Sequence, residues 1–231
     1  MRIIAVFHKI DGARYISHLD LMRAVQRALR RAGLPVRYSK GFNPHMVLSF
    51  ASALSLGFTS VGEVMDVAME EEVSPEEFER AMGRELPPAL ALVEAHAVPD
   101  GYPGLMGLVR SVDYRVALAG PASLGEEALY ARFQEAFKTP LEVEKKSKAG
   151  PKRIDVRSQV LRFEPAGAEG GAPAFFLRCS AAKEGTLNPR TLFDALRAAC
   201  ALDFEADYCR LALWADEEGR VPLWRAEEVL A

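Results

Sequence analysis

The chain has 231 residues, 49% hydrophobic and 26% charged, enough for one large or two small globular domains and too apolar for a wholly disordered polymer. No run of about eighteen apolar residues occurs, and the N-terminal MRIIAVF lacks a signal-peptide pattern, so a cytoplasmic chain with no membrane partner is expected. The formal net charge of −3 conceals segregation: residues 1–50 hold nine Lys and Arg against two acids, residues 63–100 two against eleven, and residues 138–162 eight against three. Such a chain either shows a basic face to a polyanion, because local potential within a Debye length of roughly 8 Å governs binding, or neutralises its own segments on folding.

In chain order, residues 2–9 read as a continuously apolar strand. Ser17 suits the N-cap of a helix over His18–Ala32, with Asp20 in the first turn to complement the helix dipole. At 100° per residue Leu21, Val25, Ala28 and Leu29 share one side, while Arg23, Arg27, Arg30 and Arg31 share the other with Asp20. Gly33 and Pro35 end the helix, and a polar, aromatic loop, Tyr38-Ser39-Lys40-Gly41-Phe42-Asn43-Pro44-His45, leads into a strand near Val47–Ala51. Val61–Met69 reads as a third strand, Ser74-Pro75-Glu76-Glu77 as a helix start, and Ala91–Val98 as a fourth strand.

The order βαββαβ is the ferredoxin-like arrangement, and it repeats. Strands are expected at Val112–Ala119, within Ile154–Phe163, at Ala174–Ser180 and at Glu205–Trp214, and helices at Ser123–Phe137 and Pro189–Leu202. The expected fold is therefore α+β, with tandem ferredoxin-like units over residues 1–99 and 111–231, antiparallel sheets, and a Pro/Gly-rich linker over 100–110. One face of each sheet is expected to be free of helices. Lys145, Lys146, Lys148, Lys152 and Arg153 crowd a segment around Gly150-Pro151, which reads either as a mobile phosphate-contacting loop or as a solvated hairpin.

The runs SHLDLMR, RRAGLPV and YSKGFNPH resemble the signature of an uncharacterised bacterial family found fused to, or encoded beside, radical S-adenosylmethionine proteins. In that family the loop commonly ends Asn-Pro-His-Pro; here Met46 replaces the last proline. The resemblance implies a radical enzyme as partner and assigns no chemistry to this chain. Cys179, Cys200 and Cys209 have neither CxxC nor CxxxCxxC spacing, so they are expected to be buried apolar residues, and no cofactor is expected.

His18 falls on the apolar side of its helix, which favours a packing role. His45, with Tyr38, Ser39, Phe42 and Asn43, supplies the donors, acceptors and aromatic faces that hold an unstacked base; the same side chains also suit tying down their own loop. A metal site from His18, Asp20 and His45 has ligand types but no supporting spacing. No GxSxG, P-loop or GxGxxG motif occurs. Three readings result: an accessory, substrate-presenting module that binds RNA through the arginine helix and the lysine segment; a metal-independent endoribonuclease using His18, Tyr38 and His45; or a protein–protein scaffold. The first is the expectation carried forward, with loop 38–45 expected beside the start of the first helix.

Overall fold

The computed structural model describes residues 1–120, 124–147, 150–168, 170–181 and 187–230. It is a mixed α+β protein with mainly antiparallel strand pairing, and it divides into two compact units. The first comprises Met1–Val109 and Ala212–Ala231, the second Arg110–Leu211. The chain thus returns to its first unit at the end, and residues 100–109 are packed rather than free: Tyr102, Leu105 and Leu108 are buried.

In the first unit the elements are β1 (Arg2–Lys9), α1 (His18–Arg31), β2 (Leu48–Phe50), β3 (Thr59–Ala68), α2 (Pro75–Glu85), β4 (Leu92–Val98) and a short α3 (Leu105–Leu108). The strands run in the order β4-β1-β3, with β2 paired to β3. Strand alternation sends Ile3, Ala5, Phe7, Met65 and Val67 to one face, where they bury against Leu21, Val25 and Leu29 of α1 and Phe78 and Met82 of α2. Ser17 accepts the Asp20 N–H at 3.2 Å and Ser74 accepts the Glu77 N–H at 3.1 Å, so both helices begin at their expected caps. Gly33 ends α1 at φ +66°, a left-handed conformation that any Cβ would strain.

The other face of this sheet, expected to be free of helices, is covered by other segments of the chain. Ile4 and Asp66 are buried there, and His96, the cross-strand neighbour of Ile4, stacks on Trp224 at 4.2 Å and 8°. The Arg2 guanidinium donates to the Tyr102 carbonyl, and the Tyr102 hydroxyl accepts the Ala226 N–H at 2.9 Å. Apolar residues in 99–109 and 215–226 supply this cover, which periodicity within single strands does not reveal.

In the second unit β5 (Ser111–Ala119), α4 (Glu126–Ala136), β8 (Val160–Pro165), β9 (Ala174–Ser180), α5 (Pro189–Cys200) and β10 (Glu205–Trp214) follow one another, with strand order β10-β5-β9-β8. An aromatic core fills it: Phe163 stacks on Phe175 at 5.3 Å, and Phe133 meets Phe175 edge-on at 5.4 Å. Between α4 and β8 the lysine segment folds as a separate two-stranded hairpin, β6 (Glu142–Ser147) and β7 (Gly150–Asp155), and is not an irregular loop. Cys179 is buried and Cys200 and Cys209 are half-buried, all as free thiols; burial pushes the Cys179 thiol far up.

Candidate nucleic-acid interface

Two features of the first unit concentrate the chemistry, and both lie within residues 14–50 or face them. The first is the outer side of α1. Its four arginines do not share one fate. Arg23 pairs with Asp20 at 3.1 Å one turn earlier, and Arg31 donates to the Glu85 carboxylate at 2.7 Å and the Glu85 carbonyl at 2.6 Å. Arg27 and Arg30 are exposed, and no ion pair within 4 Å includes either among the described residues, although Arg27 stands near enough to Asp20 to help hold its carboxyl low. The Ser17 hydroxyl, and then Arg23, hold the Asp20 carboxyl below its ordinary range, so this acid stays charged. The acidic segment 70–72 does not cover the row: Glu70 instead lies 3.8 Å from Arg37.

The second feature is a cavity of about 460 Å³ on the face of the sheet opposite α1 and α2. Its wall includes Arg2, Arg37, His45, Ser49, Asp66 and Asp100. Arg2 Nε donates to Asp66 Oδ1 at 3.0 Å, and Arg37 Nη2 donates to Asp100 at 3.0 Å and to the Met69 carbonyl at 2.8 Å. The N-terminal ammonium approaches the other Asp100 oxygen at 3.2 Å. These pairings raise the Arg2 and Arg37 guanidiniums through their carboxylate hydrogen bonds and hold the Asp100 carboxyl low, chiefly through Arg37. None of Arg2, Arg37, Asp66 and Asp100 stood among the expected site residues. The acid set between the apolar Val64, Met65, Val67 and Ala68 was the signal that could have found Asp66.

The end of loop 38–45 reaches this cavity, whose wall includes His45 and Met46. A bridge joins Tyr38 to Met46, the Ser39 N–H donates to the His45 carbonyl at 2.8 Å, and the Ser39 hydroxyl meets His45 Nδ1 at 2.8 Å. His45 therefore braces its own loop and also lines the cavity. Asn43 and Phe42 are exposed, Phe42 completely, at 106% of its reference area.

The expected meeting of this loop with the start of α1 is not found. His18 is exposed at the helix start, edge-on to Phe50 at 5.4 Å, and Phe50 belongs to the helix-side core. Its neighbour Ser49 faces the cavity instead, because successive strand residues point to opposite faces. His45 precedes Phe50 by five residues, roughly 16 Å of extended chain. His18 meets Phe50 on the helix side while His45 pairs with Ser39 and lines the cavity, and among the described residues no group of three His, Cys, Asp or Glu side chains is placed to hold a metal ion.

In the β6–β7 hairpin, Arg153 is exposed, 3.6 Å from Glu142. Lys148 and the side chains of Lys145, Lys146 and Lys152 lie outside the described residues. A hollow of about 650 Å³ beside this hairpin is lined by Glu142, Glu144 and Asp194 with Ala195 and Ala198, a surface that repels phosphate. Among the described residues no helix is long and apolar enough to cross a membrane.

Residues 2–189 match the model of the family described as uncharacterized protein conserved in bacteria (DUF2344). The chain belongs to that family. No curated protein matches it. Among solved structures, a chain in the crystal structure of a Cbf5-Nop10-Gar1 complex is similar over 91% of this chain and 48% of that one, at 11% identity and TM-score 0.51. A chain in the structure of an H/ACA RNP bound to a substrate RNA containing 2′-deoxyuridine matches over 90% and 46%, at 12% identity and TM-score 0.48. A third, in an archaeal box H/ACA sRNP Nop10-Cbf5 complex, matches over 90% and 46%, at 13% identity and TM-score 0.47. This DUF2344 chain spans about half the length of these structural relatives, and the first likeness is one of fold.

Proposed function

We propose that this DUF2344 protein is an accessory module that binds RNA through α1 and presents it to a separate radical S-adenosylmethionine protein. The observation that carries the RNA half is the pair Arg27 and Arg30, exposed on one helix face without an ion pair among the described residues. Guanidiniums left so close together repel one another, and a polyanion relieves that repulsion with counterion release as the driving term. The β6–β7 hairpin, with Arg153 exposed and four lysines in its sequence, is a second basic element for the same ligand. The radical-enzyme half rests on the resemblance carried by SHLDLMR, RRAGLPV and YSKGFNPH.

The same proposal takes each unit as a ferredoxin-like module. Its support is the βαββαβ order in each unit together with the strand orders β4-β1-β3-β2 and β10-β5-β9-β8, both of which read fourth, first, third, second. The hairpin β6–β7 is then an insertion before the second strand of the second module.

Two measurements test the proposal. Fluorescence anisotropy with labelled RNA across a salt titration is expected to show affinity falling with salt, with a log–log slope of roughly 0.7 to 0.9 per phosphate contact. Affinity purification from cells is expected to recover RNA together with a protein bearing a CxxxCxxC cluster motif. Absence of salt-dependent RNA binding removes the first half, and its recovery without such a protein removes the second.

A further inference from the structure

The rim loop and the cavity together describe a more specific ligand than a polyanion. The loop is braced at its base by the Tyr38–Met46 bridge and by three bonds between Ser39 and His45, the third being the His45 N–H to the Ser39 hydroxyl at 3.1 Å. Above this base, the tip holds Phe42 wholly in water, with Tyr38 44% exposed beside the brace. A phenyl ring held in water forfeits the favourable transfer that burial would supply. A loop braced at its base that nonetheless displays the ring has a surface ready for a planar partner.

The cavity below is neutral in sum. Arg2 is matched by Asp66, and Arg37 with the N-terminal ammonium by Asp100 and Glu70. Such a wall does not select phosphate. What it offers instead is a few convergent polar groups on an apolar bed: the Ser49 hydroxyl, the His45 Nε2 left over once Nδ1 meets Ser39, and the remaining lone pairs of Asp66, set among Met46, Val47 and Ala68. Its 460 Å³ lies in the range of small-ligand pockets. A neutral planar molecule with donors and acceptors along one edge fits this description; a phosphate does not.

We infer that loop 38–46 and the cavity at its foot hold one unpaired nucleobase of single-stranded RNA, with Phe42 as stacking face and the cavity wall as reader of the base edge. This rests on the RNA reading of α1 and deepens it, because duplex RNA keeps its base faces stacked and out of reach of an aromatic loop. The arginines of α1 supply charge, and the loop supplies the preference for single strands.

The test compares a labelled single-stranded 12-mer RNA with its duplex, for the parent, Phe42→Ala, Phe42→Trp and the Arg27→Ala/Arg30→Ala double variant, each across a salt titration. Phe42→Ala is expected to weaken single-strand binding by roughly five- to a hundredfold with an unchanged salt slope and unchanged duplex binding, and Phe42→Trp to retain the parent affinity. The double variant is expected to flatten the salt slope for both RNAs. Single-strand binding by Phe42→Ala equal to the parent, or a parent that prefers duplex, overturns the inference while leaving the arginine face standing. A parent that binds neither RNA overturns both. Because Phe42 touches no core, its variants are expected to melt with the parent, so a loss of binding is not a loss of fold.

Discussion

Arg2 and Asp66 are diagonal neighbours across β1 and β3: Arg2 sits opposite Ala68 and Asp66 opposite Ile4, and the guanidinium closes on the carboxylate from the side. At 14% and 8% side-chain exposure the pair is largely buried at the wall of the cavity, so each charge depends chiefly on the other. Arg2 also holds the Tyr102 carbonyl, which ties the sheet to the segment that covers it.

Removing one partner of this pair is therefore expected to be far costlier than removing both. Arg2→Met should lower unfolding stability in urea by about 3 to 5 kcal/mol, because a buried carboxylate is left without its counter-ion. The double variant Arg2→Met/Asp66→Leu should recover most of that loss. A single variant within about 0.5 kcal/mol of the parent would show that water reaches Asp66.

The N-cap of α1 offers a second measurement. Ser17 accepts the Asp20 N–H and donates its hydroxyl to the Asp20 carboxylate at 2.7 Å, so one residue satisfies a free amide and fixes the acid that holds Arg23. Ser17→Ala is expected to cost about 0.5 to 2 kcal/mol in thermal melts. Gly33→Ala at the other end should cost about 1 to 2 kcal/mol, all of it backbone strain, since an added Cβ meets no atom within 4 Å.

Acidity gives a third. Asp216 is buried, which pushes its carboxyl up, yet the Val221 N–H at 2.9 Å and the Arg220 N–H at 3.0 Å outweigh burial and hold it below the ordinary range. A folded-state value below the unfolded one, about 3.9, means stability that is present above that value and lost as pH falls through the lowered one. Unfolding midpoints followed from pH 6 down to about pH 2 should thus drop, and Asp216→Asn, whose amide oxygen still accepts but cannot titrate, should drop less. Parallel acid limbs for the two proteins would assign the drop to other carboxylates.

Local signals in the sequence located most elements, because caps, glycine stops and strand alternation act within a few residues. Ser17 and Ser74 cap the helices expected to start there, Asn188 caps the helix expected from Pro189, and Gly33 ends the first. What single segments did not reveal were relations across the chain. Trp224 covering His96, the return of Ala212–Ala231 to the first unit, and the cavity made by Arg2, Asp66 and Asp100 all join residues far apart in the chain. The expected partnership of His18 and His45 failed for a related reason. The pleat of β2 turns Phe50 to the helices and Ser49 away from them, and a loop histidine follows the second of these directions.

The arginine row gives the last prediction, and the structure changes which arginines test it. Arg23 is occupied by Asp20 and Arg31 by Glu85, so their removal alters folding contacts as well as surface charge. Arg27 and Arg30 have no such partners among the described residues, so Arg27→Ala/Arg30→Ala isolates the charge that a polyanion would meet. If both touch phosphates, the log–log salt slope of RNA binding should fall by roughly 1.4 to 1.8, with no dependence on sequence, while the melting temperature stays with the parent. Arg31→Ala serves as the opposite case: it should cost up to about 1 kcal/mol of stability through the exposed Glu85 pair. An unchanged salt slope in the double variant would move the RNA surface away from α1, and a large loss of thermal stability would show instead that these two side chains hold the first unit together.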